Sequence, residues 1–226
     1  MIVISGKIYI QVVYRLLCEL YFIDIISRYY ALELCLGSLD QLFLRPDHPR
    51  KYKGPALPSD LKVLFQLASG LEYIHSQKLA HRNIRPHNIL ISLQESADSD
   101  DQNEQVTLKW ADFRLSKLVN ERGTFTMSVS RATLCWMAPE LLNSLAIAER
   151  ANTGDTVRNV AQRDSVKSDI FATGCVFVYY LLGGIHPYGS RPVQIQFNIS
   201  NNKQPANLPS SHKLFFPWTN CQLGCG

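Results

Sequence analysis

The chain has 226 residues, of which 46% are hydrophobic, and this is enough to bury the core of one ordinary domain or of one to two small ones. Its 23 basic and 19 acidic residues leave a net charge of +4, which is too mild to indicate nucleic-acid binding. Lys7, Arg15, Glu19 and Asp24 interrupt the apolar start, so no run approaches the roughly 20 residues that span a bilayer, and we predict no transmembrane segment.

The first predicted elements are two short strands and a helix. Residues 8–13 and 29–35 are rich in β-branched and aromatic types, which favours strands. Residues 58–60 read Pro-Ser-Asp and supply a helix cap, after which apolar residues recur at spacings of three and four. We expect this helix to turn one stripe toward the core, made of Leu61, Leu64, Phe65, Ala68, Leu71 and His75.

The second half of the sequence predicts two more strands and a central helix. Residues 89–91 and 106–110 are the strands, and the polar residues between them form a solvated loop. The polar stretch 143–167 has no sustained apolar period and is predicted as a long connection with one helical turn at most. A helix that is apolar on several faces is predicted from Ser168 to the two glycines at 183–184.

Three short motifs carry the chemistry. Residues 81–88 read His-Arg-Asn-Ile-Arg-Pro-His-Asn, which fits H-R-D-x-x-x-x-N except at the third position. Residues 112–113 supply the Asp-Phe of D-F-G after a predicted strand, and residues 138–140 read Ala-Pro-Glu, as in A-P-E. Three motifs in this order are typical of protein kinases. We therefore predict an α+β, protein-kinase-like fold that consists mostly of the helical C-lobe.

Phosphoryl transfer explains why these residue types recur at this spacing. The reaction needs hard oxygen ligands for magnesium and a group that holds the acceptor hydroxyl. Asn88 and Asp112 are the predicted ligands of Mg²⁺, and they belong to the predicted nucleotide site.

Several stretches resemble a family more closely than the three motifs require. They lie between about Tyr14 and about Asn201 and resemble the sensor kinase/endoribonuclease of the unfolded-protein response, the inositol-requiring type: residues 33–35, 70–76, 81–92 and 169–177. The resemblance implies a serine/threonine kinase domain that binds ATP or ADP with Mg²⁺ and associates with itself or with a related kinase domain. It also implies that the full protein carries a ribonuclease. It divides the chain into an N-lobe remnant, 1–35, that ends in the hinge, and a C-lobe, 36–226, that is incomplete at its C-terminus.

The resemblance assigns roles to residues of the hinge and of the predicted nucleotide site. Leu32 would guard the pocket behind the adenine, and Glu33 and Cys35 would contact the adenine through their backbone groups.

Other roles implied by the resemblance are structural. His81 and Phe113 would stack in a hydrophobic spine, and Asp169 would brace the catalytic loop. Thr133 would lie in the substrate-binding segment. Glu140 would be partly buried, without the arginine that pairs with it in this fold.

The activation segment contains four hydroxyl residues that resemble an autophosphorylation cluster: Thr124, Thr126, Ser128 and Ser130. Each would gain nearly two negative charges when phosphorylated, and Arg82 is their expected partner. A hydroxyl-rich soluble loop is the alternative interpretation.

The sequence departs from the kinase pattern at three positions of the site. Asn83 stands where the pattern has the catalytic Asp, and an amide cannot take up a proton near neutral pH. Arg85 replaces the loop Lys, and a planar guanidinium does not substitute freely for an ammonium at a phosphate. Arg114 replaces the Gly of D-F-G, where a positive φ would disfavour a side chain. No glycine-rich loop and no V-A-I-K lysine precede Tyr14.

We weigh three hypotheses on these grounds. The preferred one is a regulatory pseudokinase that binds a nucleotide or a related kinase domain. The alternatives are an active ATP-dependent serine/threonine kinase in a longer chain, and an inactive gene fragment. Six cysteines without framework spacing favour a cytoplasmic protein, or the cytosolic face of the endoplasmic reticulum membrane for a longer family member.

Overall fold

The computed structural model describes residues 20–24, 29–93, 106–119, 124–126, 131–151 and 163–207. Within these ranges the α-helices are α1 (Asp60–Ser76), α2 (Pro139–Ala151), α3 (Val166–Leu181) and α4 (Pro192–Ser200). The strands are β1 (Leu20–Asp24), β2 (Tyr29–Leu32), β3 (Gly37–Ser38), β4 (Leu79–Ala80), β5 (Ile89–Leu93), β6 (Val106–Trp110), β7 (Lys117–Leu118), β8 (Thr124–Thr126) and β9 (Arg163–Ser165). Short 3₁₀ helices span Leu39–Phe43, Pro86–Asn88, Phe113–Leu115 and Arg131–Trp136. This mixture of helices and small sheets confirms the α+β prediction.

The sheets are small and antiparallel. β5 pairs with β6 in a hairpin that runs from Ile89 opposite Trp110 to Leu93 opposite Val106, and β3 pairs with the other edge of β5. β1 pairs with β2, β4 with β7, and β8 with β9. The strands predicted at 89–91 and 106–110 are confirmed, whereas the strand predicted at 8–13 lies outside the described residues.

Helix α1 buries a face that overlaps the predicted stripe only in part. Leu61 is 80% exposed and Phe65 is 68% exposed. The core instead receives the face that carries Val63, Leu67, Gly70, Leu71 and Ile74. The prediction is wrong for Leu61 and Phe65 but confirmed for Leu71, which is buried. Strand β6 lies against the buried face, where Trp110 donates its indole N–H to the carbonyl of Leu67 at 3.0 Å. Complete burial of a leucine such as Leu67 contributes about 1.5–3 kcal/mol.

Helix α3 lies in the same core and ends where the two glycines predict. Ala172 and Val176 of α3 pack in one cluster with Leu67 of α1 and Trp110 of β6. Gly184 follows the helix with φ of +92°, and its N–H donates to the carbonyl of Tyr179 at 2.9 Å. Glycine adopts such a backbone without the steric cost that a Cβ imposes.

Two helices were not predicted. α2 continues to Ala151, so the first part of the stretch at 143–167 is helical rather than a connection. α4 begins at Pro192, and its Ile195 and Ile199 pack with Leu142 of α2 in a second apolar cluster. The residues that make this contact lie far apart in sequence, so local patterns did not indicate it. No helix in the described ranges is long and apolar enough to cross a membrane.

Candidate functional site

The loops that carry the catalytic motif and the Asp-Phe motif are held side by side. We call residues 81–88 and 111–116 the motif loops. At one end, the N–H of Ala111 donates to the carbonyl of Asn88 at 2.9 Å, directly after the pair formed by β5 and β6. At the other end, β4 pairs with β7, with Ala80 opposite Lys117. Antiparallel pairing at both ends therefore fixes which residues of the two loops meet.

Asp169 of α3 holds the start of the catalytic loop. Its carboxylate accepts the backbone N–H groups of His81 and Arg82, each at 2.8 Å, and lies 3.0 Å from Nε2 of His75. The residue is only 2% exposed. Arg82 has φ of +67°, a conformation that costs a non-glycine residue free energy and persists where the surroundings enforce it. The buried carboxylate supplies that enforcement.

Asn83 and Asp112 are in direct contact between the motif loops. The Nδ2 group of Asn83 donates to Oδ2 of Asp112 at 2.7 Å, and both residues are buried. The Nδ2 group of Asn88 donates to the backbone carbonyl of Asn83 at 2.7 Å. The three predicted polar residues of the site are thus brought together, and the amide at position 83 acts as a donor toward the carboxylate.

Arg114 closes over the same carboxylate. Its Nε donates to Oδ1 of Asp112 at 2.6 Å and its Nη2 donates to Oδ2 at 2.8 Å, a bidentate pair. The left-handed residue of this turn is Asp112, with φ of +64°, whereas Arg114 lies in the following 3₁₀ helix. The backbone strain that the sequence indicated for Arg114 is therefore absent, since the positive φ falls two residues earlier.

The electrostatics of Asp112 follow from this pair. Burial alone would raise the pKa of Asp112, but the hydrogen bonds and the positive charge of Arg114 outweigh burial and lower it. The carboxylate is therefore ionised at neutral pH, and both of its oxygens already accept hydrogen bonds. The residues present do not fit a divalent cation as they stand, because a cation that needs carboxylate oxygen would have to displace the guanidinium. The described residues also contain no group of three or more His, Cys, Asp or Glu side chains that could hold a metal ion.

His81 links the catalytic loop to Phe113. The two ring centroids lie 4.5 Å apart in an edge contact. Nδ1 of His81 accepts the N–H of Asn83 at 3.2 Å, so Nε2 carries the proton and donates to the carbonyl of Ala111 at 3.1 Å. Burial lowers the pKa of His81, although the charge of Asp169 opposes this effect.

The side chain of Glu33 connects the predicted hinge segment to β5 and β6. The carboxylate of Glu33 lies 2.7 Å from Nζ of Lys109 on β6 and also accepts the hydroxyl of Ser92. The thiol of Cys35 lies 3.8 Å from the carbonyl of Glu33. Leu34, between them, is 93% exposed. Leu32 is the last residue of β2.

Arg82, the expected partner of the phosphorylation candidates, contacts the second motif loop. Arg82 donates from Nη1 to the carbonyl of Leu115 at 2.8 Å, so it holds the neighbouring loop. Thr124 and Thr126 lie on β8, whereas Ser128 and Ser130 are outside the described residues.

Three further predicted residues lie in or directly before the 3₁₀ helices, or in α2. Thr133 lies in the 3₁₀ helix that ends at Trp136. Arg85 immediately precedes the 3₁₀ helix of the catalytic loop and has extended backbone. Glu140 is exposed on α2, so the partly buried charge expected there is wrong, because the first turn of α2 leaves this side chain in solvent.

Two contacts of the candidate site were not predicted from the sequence. The pairing of Arg114 with Asp112 joins residues two apart, which a left-handed residue makes possible. The pairing of Lys109 with Glu33 joins β6 to the segment after β2, over a sequence distance that no local pattern indicates. The only signal in the sequence for the first contact was Arg114 itself, which occupies the position where D-F-G has glycine.

Comparison with known proteins agrees with this arrangement. The family model described as the protein kinase domain matches residues 26–219, most of the chain. The chain belongs to the protein kinase family. This kinase domain has the Asp169 brace, the catalytic-loop His81 and Asn88, and the Asp112 and Phe113 of the second motif in one structural unit.

The relatives of this kinase domain include dual kinase/endoribonucleases. It is 35% identical over 175 residues to the serine/threonine-protein kinase/endoribonuclease ireA of Aspergillus fumigatus, covering 71% of the chain and 15% of the relative. It is 39% identical over 165 residues to the serine/threonine-protein kinase/endoribonuclease IRE2 of Homo sapiens, again 71% of the chain and 15% of the relative. The resemblance inferred from the motifs is therefore confirmed. The chain spans about 15% of the length of these relatives.

A third relative is named as inactive. The kinase domain is 29% identical over 163 residues to the inactive serine/threonine-protein kinase/endoribonuclease IRE1-like of Arabidopsis thaliana, covering 70% of the chain and 25% of the relative.

Proposed function

We propose that this kinase domain is a regulatory pseudokinase, which binds ATP or ADP, or a related kinase domain, and transfers phosphate poorly. The observation that carries the proposal is the contact of Asn83 with Asp112, in which the side chain at the position of the catalytic base is a hydrogen-bond donor. A relative named as inactive provides a precedent within the same family.

The chemistry of an amide explains the expected loss of activity. The acceptor hydroxyl must lose a proton as it attacks, and a carboxylate can take up that proton whereas an amide cannot near neutral pH. The Nδ2 group of Asn83 is also committed to Asp112 at 2.7 Å. Loss of a general base costs about 10²- to 10⁴-fold in rate.

The proposed nucleotide site runs from the hinge to the motif loops. Glu33 and Cys35 would contact the adenine through backbone groups, with Leu32 behind it and Arg85 near the phosphates. The ion pair of Glu33 with Lys109 supports this proposal, since it fixes the hinge segment against β6. Leu34, between Glu33 and Cys35, is exposed.

The proposed setting follows the resemblance. We assign residues 1–35 to an N-lobe and 36–226 to a C-lobe, and we propose self-association or association with a related kinase domain. The proposed location is the cytoplasm, or the cytosolic face of the endoplasmic reticulum membrane if the chain is part of a longer family member. The hydroxyl residues of the activation segment, Thr124 among them, are proposed phosphorylation sites.

An active serine/threonine kinase is the second candidate. The observation that favours it is the intact brace, in which Asp169 holds His81 and Arg82 as a positioned catalytic loop requires. In this case, Asn83 would orient the acceptor hydroxyl and the proton would leave by another route.

A phosphate-transfer assay separates the two candidates. The purified chain is incubated with radiolabelled ATP and Mg²⁺, with and without a generic protein substrate, beside an Asp112→Ala control. The pseudokinase proposal expects incorporation no higher than in the control. Label above the control would establish an active kinase.

Thermal unfolding tests the regulatory part of the proposal, which is binding of a nucleotide or of a related kinase domain. Melting temperature is recorded with ADP and, separately, with a related kinase domain, and at least one is expected to raise it. No rise with either would remove the regulatory proposal while leaving the kinase fold untouched.

A further inference from the structure

Arg114 forms an ion pair with Asp112 and is itself half-exposed. We propose that the Arg114 guanidinium serves as a built-in cation at Asp112, so that the motif loops accept the phosphates of a nucleoside diphosphate or triphosphate without a divalent metal. This inference rests on the proposed nucleotide binding and adds that the nucleotide binds without a metal ion.

The first support is the geometry of the pair. A guanidinium presents N–H groups in a planar fork that matches the two oxygens of a carboxylate, and both bonds are short, 2.6 and 2.8 Å. Asn83 gives Oδ2 a further hydrogen bond at 2.7 Å. Magnesium needs near-octahedral oxygen coordination and would have to break these interactions to reach Asp112.

The second support is the balance of charge on the motif loops and the strand that follows. Residues 81–88 and 111–118 contain four basic side chains, Arg82, Arg85, Arg114 and Lys117, against the single acidic side chain of Asp112. Burial and the charge of Arg82 both lower the pKa of Lys117, as expected where positive groups are crowded. Asp169 adds negative charge from α3, but its carboxylate is engaged by the brace. Asp40 also lies near the first loop, 3.2 Å from His87. The excess of positive charge along these stretches favours a polyphosphate over a free cation.

The third support is the part of Arg114 that remains accessible. A guanidinium has five N–H donors, and the pair with Asp112 uses two of them. The Arg114 side chain is 51% exposed, whereas that of Asp112 is 10% exposed. Arg114 can therefore contact a phosphate oxygen while it stays on the carboxylate, which is the bridging role that a metal ion has in an active kinase.

The test has one arm without nucleotide. Binding of Mn²⁺ alone is followed by electron paramagnetic resonance of the free ion, for the wild-type chain and for the double variant Asn83→Asp with Arg114→Gly. The wild type is expected not to bind the ion and the double variant to bind it, because the variant frees one carboxylate and adds a second. Arg45→Gly, at an exposed arginine that is not part of the motif loops, is the control and is expected to match the wild type.

Two outcomes of this arm would overturn the proposal. One is Mn²⁺ binding by the wild type that Asp112→Asn abolishes. The other is a double variant that binds no Mn²⁺, since Arg114 would then not be what excludes the ion.

The second arm measures ADP binding by melting temperature in EDTA and in Mg²⁺. The wild type is expected to show the same rise in both, and Arg114→Gly to lose roughly tenfold in ADP affinity in EDTA. A rise that requires Mg²⁺, or no rise with ADP, overturns the inference. A chain that transfers no phosphate but binds ADP only with Mg²⁺ keeps the proposed function and loses this inference alone.

Discussion

Single side chains decide the character of this site. Asp169 positions the catalytic loop by accepting two backbone N–H groups, a role that needs only a buried carboxylate. Asn83 and Arg114 both donate hydrogen bonds to Asp112, and Arg114 adds a positive charge beside its carboxylate. The backbone brace and the hydrogen bonds at Asp112 are therefore supplied by different residues.

Replacing Asp169 by Asn should destabilise the protein strongly. The amide has one acceptor oxygen, so either His81 or Arg82 would lose its buried hydrogen bond to a charged group, at a cost of about 3 kcal/mol in the free energy of unfolding. Urea unfolding measures the change.

Asp60 offers the matched control for that substitution. Its carboxylate accepts the hydroxyl of Tyr180 at an exposed position, so Asp60→Asn should cost only a few tenths of a kcal/mol. Equal costs for the two variants would contradict the bracing role of Asp169.

At the scale of elements, the sequence allowed some parts of the fold to be predicted and not others. The strands that form β5 and β6 were visible because their residue types and the polar run between them are local signals. The buried face of α1 was not, since Leu61 and Phe65 have the same spacing as the residues that do reach the core. The motif residues of the site were identified, but the pairing of Arg114 with Asp112 depends on the left-handed backbone at Asp112.

The end of α3 provides a prediction with an internal control. Gly184 has φ of +92°, and a Cβ there would lie 2.4 Å from Cβ of Phe43. Gly184→Ala should therefore lower the free energy of unfolding by about 2–4 kcal/mol, through strain and displacement of Phe43.

Gly183→Ala separates these two causes. Gly183 has φ of +64°, but a Cβ there meets nothing within 4 Å, so its cost should be about 1 kcal/mol. Thermal unfolding of both variants measures the difference. A larger loss at Gly183 would show that contact with Phe43 is unimportant.

For the whole molecule, the dependence of stability on pH includes a buried histidine. His186 packs 4.6 Å from the ring of Trp136, and burial lowers its pKa to about 4. The unfolded chain binds this proton near pH 6.5, so the contribution of neutral His186 is complete above about pH 6.5 and is lost as the pH falls toward about 4. The loss should reach about 2–3 kcal/mol in the free energy of unfolding.

Urea midpoints between about pH 7 and about pH 4 test this dependence. His186→Phe should flatten the curve by that amount. The buried His81, whose pKa burial also lowers, will keep part of the slope in the His186 variant. An unchanged slope in His186→Phe would contradict the assignment.

The outward apolar face of α1 affects how such unfolding can be followed. Leu61 and Phe65 lie one turn apart on the surface of the native protein. A dye that becomes fluorescent on apolar surface will therefore give signal before any unfolding, and a high initial reading would resemble a loosely packed state. Trp110 is fully buried against α1, so its contribution to the intrinsic fluorescence of the three tryptophans reports the loss of the core without that background.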